Sequence, residues 1–256
     1  MPVNGPSKPR AGVSASLRAK TRPMMQIEAA LPGPWAVRET GLRARARAGL
    51  IPAMGTPRPR TRIQTRNRET ILEAALEVFA LHGFRGATLD MIAAEAGLSK
   101  PNLLYYFPSK EAIHVTLLSQ MMETWLDPLR ALDAAGDPVA ELRAYVRRKL
   151  EMSRDFPRES RLFANEIVQG APRMQEALAT DLKTLVDDKA AVIRGWARAG
   201  RIADVDRHHL IFSIWALTQH YADFDVQVRA VLGPDRDPIP EAERFLDTLF
   251  TRLLAP

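Results

Sequence analysis

Residues 71–113 read ILEAALEVFALHGFRGATLDMIAAEAGLSKPNLLYYFPSKEAI, and the spacing of their apolar side chains decides the fold. Ile71, Ala75 and Phe79 recur at four-residue intervals, which is the spacing of one helix face. Gly83 follows at the position where a helix ends, because glycine adopts the left-handed conformation without steric cost. The stretch therefore begins with an amphipathic helix that closes at a glycine.

Two short helices follow, and each is preceded by a hydroxyl side chain that can cap it. Thr88 precedes a helix predicted over residues 89–96, and Gly97 ends that helix. Ser99 then caps a second short helix that has Pro101 in its first turn. Two short helices joined by a glycine-containing turn indicate a helix-turn-helix, whose second helix presents its N-terminal residues to the major groove of DNA.

Beyond Ser109 the apolar pattern stays helical to the end of the chain. The separators are glycine and proline combinations such as Gly136-Asp-Pro and Gly233-Pro. The predicted helices span residues 109–132, 138–155, 158–169, 173–199, 206–232 and 240–254. No segment shows the sustained alternation of a strand. We therefore predict an all-α fold, with a three-helix helix-turn-helix domain followed by a six-helix ligand-binding and dimerisation domain.

Charge is distributed unevenly along the chain. Before Glu69 there are 14 basic and two acidic residues, whereas from Glu69 onwards there are 22 basic and 28 acidic residues. A basic arm on an acidic body suggests a polyanionic partner. Residues 1–60 hold nine of the 19 prolines and six of the 14 glycines, which predicts a disordered basic tail. The expected divisions are this tail, a DNA-binding domain at 61–110 and an effector domain at 111–256.

Composition excludes several classes of protein. There is no cysteine, so there is no disulfide framework, thiolate metal site or cysteine nucleophile. No apolar run approaches the ~20 residues that span a bilayer, and Glu28 and Pro32 interrupt the stretch that most resembles a signal peptide. We expect a cytoplasmic protein with no cofactor and no membrane partner. An alternative for the tail is that the natural chain starts at Met54.

The histidines of the C-terminal half do not predict a metal site. His209 and His220 are eleven residues apart on one predicted helix, so they cannot share a metal ion unless that helix bends. No nucleophile–base pair or phosphate-binding loop is evident either. We expect no bound metal and no enzymatic activity.

The quoted stretch resembles the N-terminal DNA-binding domain of the TetR family of repressors. Ala-x-x-x-Phe, His-Gly-Phe, the turn IAAEAGLS, Tyr-Tyr-Phe at 105–107 and Ser-Lys-Glu at 109–111 fall at that family's spacing. Stretches such as YVRRKLEMSRDFPRESRLFANEIVQGAP and HLIFSIWALTQHYADFDVQV are similar to the pyrimidine-utilisation regulator (RutR) subgroup, over about residues 65–232. The resemblance implies a transcriptional regulator whose effector is a free pyrimidine base, uracil or thymine.

The exposed start of the second short helix is predicted to read base edges through Ser99, Lys100 and Asn102. Asparagine suits an adenine edge, and lysine suits a guanine edge or a phosphate. Arg66 is predicted to add backbone or minor-groove contacts. The residues predicted to contact phosphates are Thr88, Tyr105, Tyr106 and Lys110. The alternative for Tyr105 is a core-packing role with its hydroxyl at the rim.

A uracil-like base needs an aromatic face and a few hydrogen-bond partners in a mostly apolar cavity. Trp125, Trp215 and Gln219 fit that requirement, and the last two share a helix face because they are four residues apart. Lys149 and Ser153, another such pair, are predicted to supply a donor and an adaptable hydroxyl. The alternatives are a core-packing role for each tryptophan and a solvated charge for Lys149.

One helix-turn-helix reads only a few base pairs, so we expect a homodimer on a palindromic double-stranded operator. The last two predicted helices are expected to form the dimer interface. Their apolar stripes comprise Phe212, Phe224, Val228, Phe245, Leu249 and Leu253. Ligand between Trp125 and Trp215 would tilt the helix that begins at Ser109. The alternatives are a repressor that senses another small planar or hydrophobic ligand, an all-α enzyme, and a nucleic-acid binder that acts through its tail.

Overall fold

The computed structural model describes residues 62–256, which form helices joined by turns and loops. Within it there is no strand, so the predicted all-α fold is confirmed. No helix between residues 62 and 256 is long and apolar enough to cross a membrane. The predicted disordered tail, residues 1–60, lies outside the described residues.

The helices follow one another with short connections. They are α1 (Arg62–Gly86), α2 (Leu89–Glu95), α3 (Lys100–Tyr106), α4 (Lys110–Arg130), α5 (Pro138–Asp155), α6 (Pro157–Val168), α7 (Gln175–Ala177), α8 (Lys183–Arg198), α9 (Arg207–Asp223), α10 (Asp225–Leu232) and α11 (Ile239–Leu254). One π-helical turn, Leu178–Leu182, joins α7 to α8.

The helix-turn-helix forms as the capping residues predict. Three hydroxyl side chains each accept a hydrogen bond from the backbone N–H three residues further on, at 3.1 to 3.4 Å. The pairs are Thr88–Met91, Ser99–Asn102 and Ser109–Ala112. Each bond satisfies a donor that the first turn of a helix leaves unpaired. Gly97 has a φ of +65°, which confirms that it supplies the left-handed turn after α2. Gly83, with a φ of 64° and a ψ of 173°, forms a non-helical kink inside α1, and the helix resumes and ends at Gly86 rather than at Gly83.

The apolar core of the N-terminal helices continues into the next part of the chain. Ile71, Phe79 and Phe107 are buried at its centre. The same cluster includes Leu117 of α4 and Leu162 of α6. Packing between the N-terminal helices and the rest of the chain is therefore continuous across residue 110.

The second large core lies among α5, α8, α9 and α11. Leu142 of α5, Ile193 of α8, Ile214 of α9 and Phe250 of α11 are each fully buried in it. α5 packs against both α9 and α11, so it is the central helix of this half. This arrangement places α5 between the C-terminal helices and α4, which leads back to the helix-turn-helix.

Two predicted helices are interrupted in the structure. The helix predicted over 206–232 is broken at Phe224, whose φ of −116° and ψ of 27° are not helical, and it forms α9 and α10. The helix predicted over 173–199 contains the π-helical turn Leu178–Leu182. Neither interruption contains a glycine or a proline, the residues that usually break a helix, so the sequence did not predict either one.

Candidate DNA-reading surface and effector cavity

The predicted base-reading residues lie exposed at the start of α3. The Lys100 ammonium is 2.9 Å from a carboxylate oxygen of Asp90, and both side chains are largely exposed. Such an exposed ion pair stabilises a protein by at most about 1 kcal/mol. Lys100 can therefore leave Asp90 for an acceptor on DNA at little cost. Ser99 and Asn102 are exposed beside it, while Leu103 anchors the opposite face of α3 in the core.

The capping hydroxyls of Thr88 and Ser99 keep a free proton. Each oxygen accepts a backbone N–H, and a hydroxyl can at the same time donate its own proton. Both residues are exposed. A cap and a phosphate contact are thus compatible at these two positions.

The two tyrosines of α3 occupy different environments. Tyr105 is 71% exposed, and its hydroxyl accepts a hydrogen bond from Gln64 at 3.2 Å. Tyr106 is half-buried, and its hydroxyl accepts a hydrogen bond from Asn67 at 2.9 Å. The alternative in which Tyr105 packs in the core is therefore wrong, and Tyr106 is the tyrosine that packs with its hydroxyl at the rim.

Two arginines of α1 lie beside α3. Arg66 is exposed. The guanidinium of Arg68 instead lies 3.9 Å from the centroid of the Phe107 ring and donates to the carbonyl oxygen of Tyr106 at 3.3 Å. Arg66 therefore remains the predicted backbone or minor-groove contact from this helix.

Lys110 has a structural role that its sequence position did not indicate. Its ammonium donates to the carbonyl oxygens of Phe84 and Ala87 at 2.6 and 2.7 Å, and lies 4.5 Å from the centroid of the Phe84 ring. These bonds fasten the start of α4 to the corner between α1 and α2. Two of the three N–H bonds are engaged, which leaves one donor for the predicted phosphate contact.

Four of the five predicted ligand residues line one cavity of about 60 Å³. They are Trp125, Lys149, Trp215 and Gln219. The remaining walls are apolar and come from Met122, Leu126, Phe163 and Leu182. The walls of the cavity are therefore formed by α4, α5, α6, α9 and the last residue of the π-helical turn.

Ser153 does not line this cavity, so its predicted contact with ligand needs correction. Its hydroxyl is buried and donates to the backbone carbonyl of Lys149, one turn earlier in α5, at 3.1 Å. A serine inside a helix commonly bonds back to its own helix in this way. Sharing a helix face with Lys149 therefore did not place the hydroxyl on the cavity.

Lys149 is buried, with only 3% of its surface exposed. Burial lowers the pKa of its ammonium to about 7, while the carboxylate of Asp223 opposes that shift. The ammonium lies 5.3 Å from the centroid of the Trp125 ring. Burial therefore makes this ammonium easier to neutralise than a lysine ammonium on the surface. The alternative of a solvated charge is wrong for this residue.

The two cavity tryptophans differ in their indole N–H groups. The Trp215 N–H donates to the hydroxyl of Tyr145 at 2.6 Å. The Trp125 N–H is buried and has no hydrogen-bond partner among residues 62–256. Trp215 is thus held in place as a wall, whereas Trp125 carries an unused donor.

A cluster around Phe84 connects the helix-turn-helix to the effector half, and our sequence reasoning did not identify it. The guanidinium of Arg173 lies 3.8 Å from the centroid of the Phe84 ring and 3.0 Å from a carboxylate oxygen of the buried Glu166. His114 contacts the same ring at 4.8 Å between centroids, and burial lowers its pKa to about 4. A histidine on the apolar stripe of α4 is the one signal that the sequence offered.

The C-terminal helices leave apolar side chains uncovered. Among the predicted interface residues, four are between 43% and 60% exposed. They are Phe212, Phe224, Phe245 and Leu253. Val228 and Leu249 are more buried and belong to the packing within the chain. In the described part of the chain no group of three or more histidine or carboxylate side chains could hold a metal ion.

Comparison with known proteins gives two family matches and several relatives. Residues 71–115 match "Bacterial regulatory proteins, tetR family", and residues 118–256 match "YcdC-like protein, C-terminal region". The chain is 50% identical over 181 residues to the HTH-type transcriptional regulator RutR of Escherichia coli K12, covering 71% of this chain and 85% of that protein. It is 31% identical over 120 residues to the HTH-type transcriptional regulator LmrA of Bacillus subtilis, covering 46% and 59%.

Solved structures show the same fold. The transcriptional regulator SCO4942 of Streptomyces coelicolor is 26% identical and has a TM-score of 0.57, covering 73% of this chain and 98% of that one. AibR, solved with isovaleryl coenzyme A and operator DNA, is 20% identical and has a TM-score of 0.57, covering 74% and 99%. The helix order described above is therefore shared with regulators of known structure.

Proposed function

The chain belongs to the TetR family of bacterial transcriptional regulators, and from that premise we propose that it binds a palindromic operator as a homodimer. We further propose that a pyrimidine base, uracil or thymine, releases or alters this binding and thereby controls pyrimidine catabolism. Members of the family regulate transcription and are not enzymes, so the cavity is assigned to an effector rather than to a substrate.

The observation that carries the effector assignment is the convergence of Trp125, Lys149, Trp215 and Gln219 on one cavity. Trp215 offers a planar face, and Gln219 follows it by one helical turn. A glutamine amide can donate to a ring carbonyl and accept from a ring N–H at once. This donor and acceptor pair suits a base that carries alternating carbonyl and N–H groups.

Dimeric operator binding is supported by the two ends of the molecule. The recognition residues at the start of α3 are exposed, and the uncovered apolar side chains lie on and beside α9 and on α11. Packing these helices against a second copy would bury those side chains in a four-helix arrangement. The two α3 helices would then enter successive major grooves about 34 Å apart.

Communication between the sites is proposed to run along α4. Its cap, Ser109, follows the recognition helix directly, and Trp125 lies 16 residues further on, about 24 Å away at 1.5 Å per residue. The Lys110 ammonium fixes the start of this helix to the α1–α2 corner. A ligand that displaces α4 at the cavity would therefore shift the recognition unit. It can do so only by binding one arrangement of α4 more tightly than the other.

Thermal unfolding of the full chain tests the effector assignment with uracil, thymine, uridine and adenine as added ligands. A base at 100 times its dissociation constant stabilises the folded state by about 2.7 kcal/mol. Uracil or thymine should raise the melting temperature, and adenine should not. If neither pyrimidine raises it, the effector assignment fails, and other small planar or hydrophobic ligands become the next probes.

Deletion of residues 1–60 separates sequence-specific recognition from binding through the basic tail. Operator binding should survive the deletion at 150 mM salt if α3 reads the sequence. Its loss would favour a nucleic-acid binder that acts through its tail.

A further inference from the structure

A second cleft, the arginine cleft, lies between the end of α8 and the start of α9 and has a volume of about 350 Å³. Its walls come from Arg194, Ala197, Arg198, Asp204 and Arg207. Three guanidinium groups and one carboxylate give these side chains a net charge of +2. The chain from residue 69 onwards holds 28 acidic and 22 basic residues, so the cleft is a positive patch on an acidic body. Such a patch attracts anions.

The arginines of this cleft differ from others in the same half of the chain. Arg143 and Arg236 each hold a carboxylate through two hydrogen bonds of 2.6 to 2.8 Å. Arg194, Arg198 and Arg207 form no ion pair among residues 62–256. The Nε of Arg207 is buried and has no hydrogen-bond partner in that range. The guanidinium donors of the cleft are therefore available to a ligand.

The neighbouring groups do not compensate these charges. Arg194 and Arg198 are one turn apart on α8, and like charges at that spacing repel each other. The end of α8 attracts both charges through its dipole, but it leaves their N–H groups unbonded. Asp206 attracts Arg207 electrostatically, yet this carboxylate caps α9 by accepting two backbone N–H bonds at 2.9 and 3.0 Å. An anion in the cleft would relieve the repulsion and satisfy the donors together.

The arginine cleft lies far from the recognition helix. Trp196, which is two residues from both Arg194 and Arg198, donates its indole N–H to the carbonyl oxygen of Ala134 at 3.0 Å. Ala134 follows the end of α4, whose 21 residues span about 30 Å. Operator DNA bound at α3 would lie at the opposite end of α4. The anion that fits the cleft is therefore a small molecule and not the DNA backbone.

We propose that the arginine cleft binds a phosphate monoester. The planar guanidinium fork matches phosphate oxygens in pairs. A phosphate monoester carries a charge of about −1.5 to −2 at pH 7, which balances the +2 of the lining side chains. The volume falls within the range of about 300–1,000 Å³ for small-molecule sites, so the organic part of the ligand has room. The arginine cleft shares no lining residue with the effector cavity, so this proposal does not depend on the pyrimidine effector.

Isothermal titration calorimetry of the full chain with ribose 5-phosphate, ribose and inorganic phosphate tests the ligand class. Ribose 5-phosphate carries no base that could occupy the effector cavity. We expect its dissociation constant to be below about 1 mM, ribose to bind at least about 100-fold more weakly, and inorganic phosphate to compete. No binding of either phosphate compound at about 10 mM, or equal affinity for ribose and ribose 5-phosphate, would overturn the proposal. Binding of inorganic phosphate alone would contradict a monoester ligand.

Substitutions locate the binding, because the basic tail could also attract phosphate. Arg207→Gln should weaken ribose 5-phosphate at least about tenfold, and Arg207→Lys should restore only part of that loss because lysine lacks the fork. Arg194→Gln changes an exposed side chain, so it gives the same test where Arg207→Gln does not fold. Arg148→Gln is the matched control, since Arg148 is exposed on α5 and pairs with Glu151 outside the cleft. An equal loss in the control, or no loss at Arg194 and Arg207, would place the binding elsewhere and refute the proposal.

The two other occupants of a basic cleft are nucleic acid and carboxylates of a second copy of the chain. Arg194→Gln combined with Arg198→Gln should leave the affinity for duplex DNA and its dependence on salt unchanged. A shallower slope of log affinity against log salt would show that the cleft binds DNA phosphates. Sedimentation of this double variant should match that of the unmodified chain. A shift to a smaller species would show that the cleft is filled by a second copy.

Discussion

The DNA-reading unit and the effector cavity differ in how far apart in sequence their interacting residues lie. In the DNA-reading unit, each capping hydroxyl and its backbone partner are three residues apart, and the turn glycine lies between two adjacent helices. In the cavity, Trp125 and Gln219 come from helices separated by 94 positions in the sequence. The first region is specified locally, whereas the second depends on how α4, α5, α6 and α9 pack.

The local character of the DNA-reading unit does not make it an independent folding unit. Phe107→Ala should destabilise the chain by about 3–5 kcal/mol, because a fully buried aromatic ring is replaced by a methyl group. The core around Phe107 includes Leu117 and Leu162 from the effector half. We therefore expect one unfolding transition, in which operator and effector binding are lost at the same temperature.

Circular dichroism follows the loss of helix on heating, and melting with added ligand follows the loss of effector binding. Together they test whether Phe107→Ala unfolds in one transition. Leu81→Ala is the matched control, since Leu81 lies on the same helix as the core residues of α1 but is 75% exposed. It should change stability by less than about 0.5 kcal/mol. Two separate transitions in Phe107→Ala would show that the DNA-reading unit and the effector half unfold independently.

The cavity lysine should make stability depend on pH above about 7. Burial lowers the pKa of Lys149 to about 7, below the ordinary value of 10.5 that applies in the unfolded chain. Between these values the unfolded chain binds more protons, so the free energy of unfolding should rise with pH. The slope from this group is at most about 1.4 kcal/mol per pH unit.

Urea denaturation at pH 7, 8 and 9 checks this slope by comparing the chain with Lys149→Met. The variant should lose the rise that the unmodified chain shows. Lys183→Met is a suitable control, because Lys183 is exposed and pairs with Asp187 on the surface of α8. Identical slopes in the chain and in Lys149→Met would mean that Lys149 is not buried in solution.

A substitution at the recognition helix should affect operator binding without affecting the cavity. Lys100→Met should weaken specific operator binding by about 1–3 kcal/mol if the ammonium binds a base edge. If it binds a phosphate, affinity for all DNA should fall and the slope of log affinity against log salt should decrease by about one. Fluorescence anisotropy at several salt concentrations separates the two. The affinity for uracil should stay the same. A change in that affinity would show that Lys100 is coupled energetically to the cavity, which the proposed connection through α4 does not predict.

The sequence predicted the local elements well and the long-range partners poorly. Thr88, Ser99 and Gly97 could be assigned because a cap or a turn needs only its immediate neighbours. The break at Phe224 carried no glycine or proline, so nothing local marked it. Arg173 could not be identified because its partners, Phe84 and Glu166, belong to other elements.

The cavity shows the same limit at the level of single side chains. Helical spacing correctly put Trp215 and Gln219 on one face, and the structure adds that the same face reaches Trp125 and Lys149. Spacing also grouped Ser153 with Lys149, although a serine hydroxyl can bond to its own helix instead of pointing at a ligand. A four-residue interval fixes the face of a helix, but it does not fix the direction of a short polar side chain.

Ser153→Ala tests this distinction with the smallest expected effect. The hydroxyl donates to a carbonyl oxygen within α5, so its loss should cost about 0.5–1.5 kcal/mol of stability. The affinity for uracil should change by less than about twofold, because Ser153 is not a wall of the cavity. Calorimetric titration of uracil measures this. A tenfold loss of affinity for uracil with unchanged stability would contradict this. It would show that Ser153 contacts the ligand and that α5 presents two polar residues to the cavity.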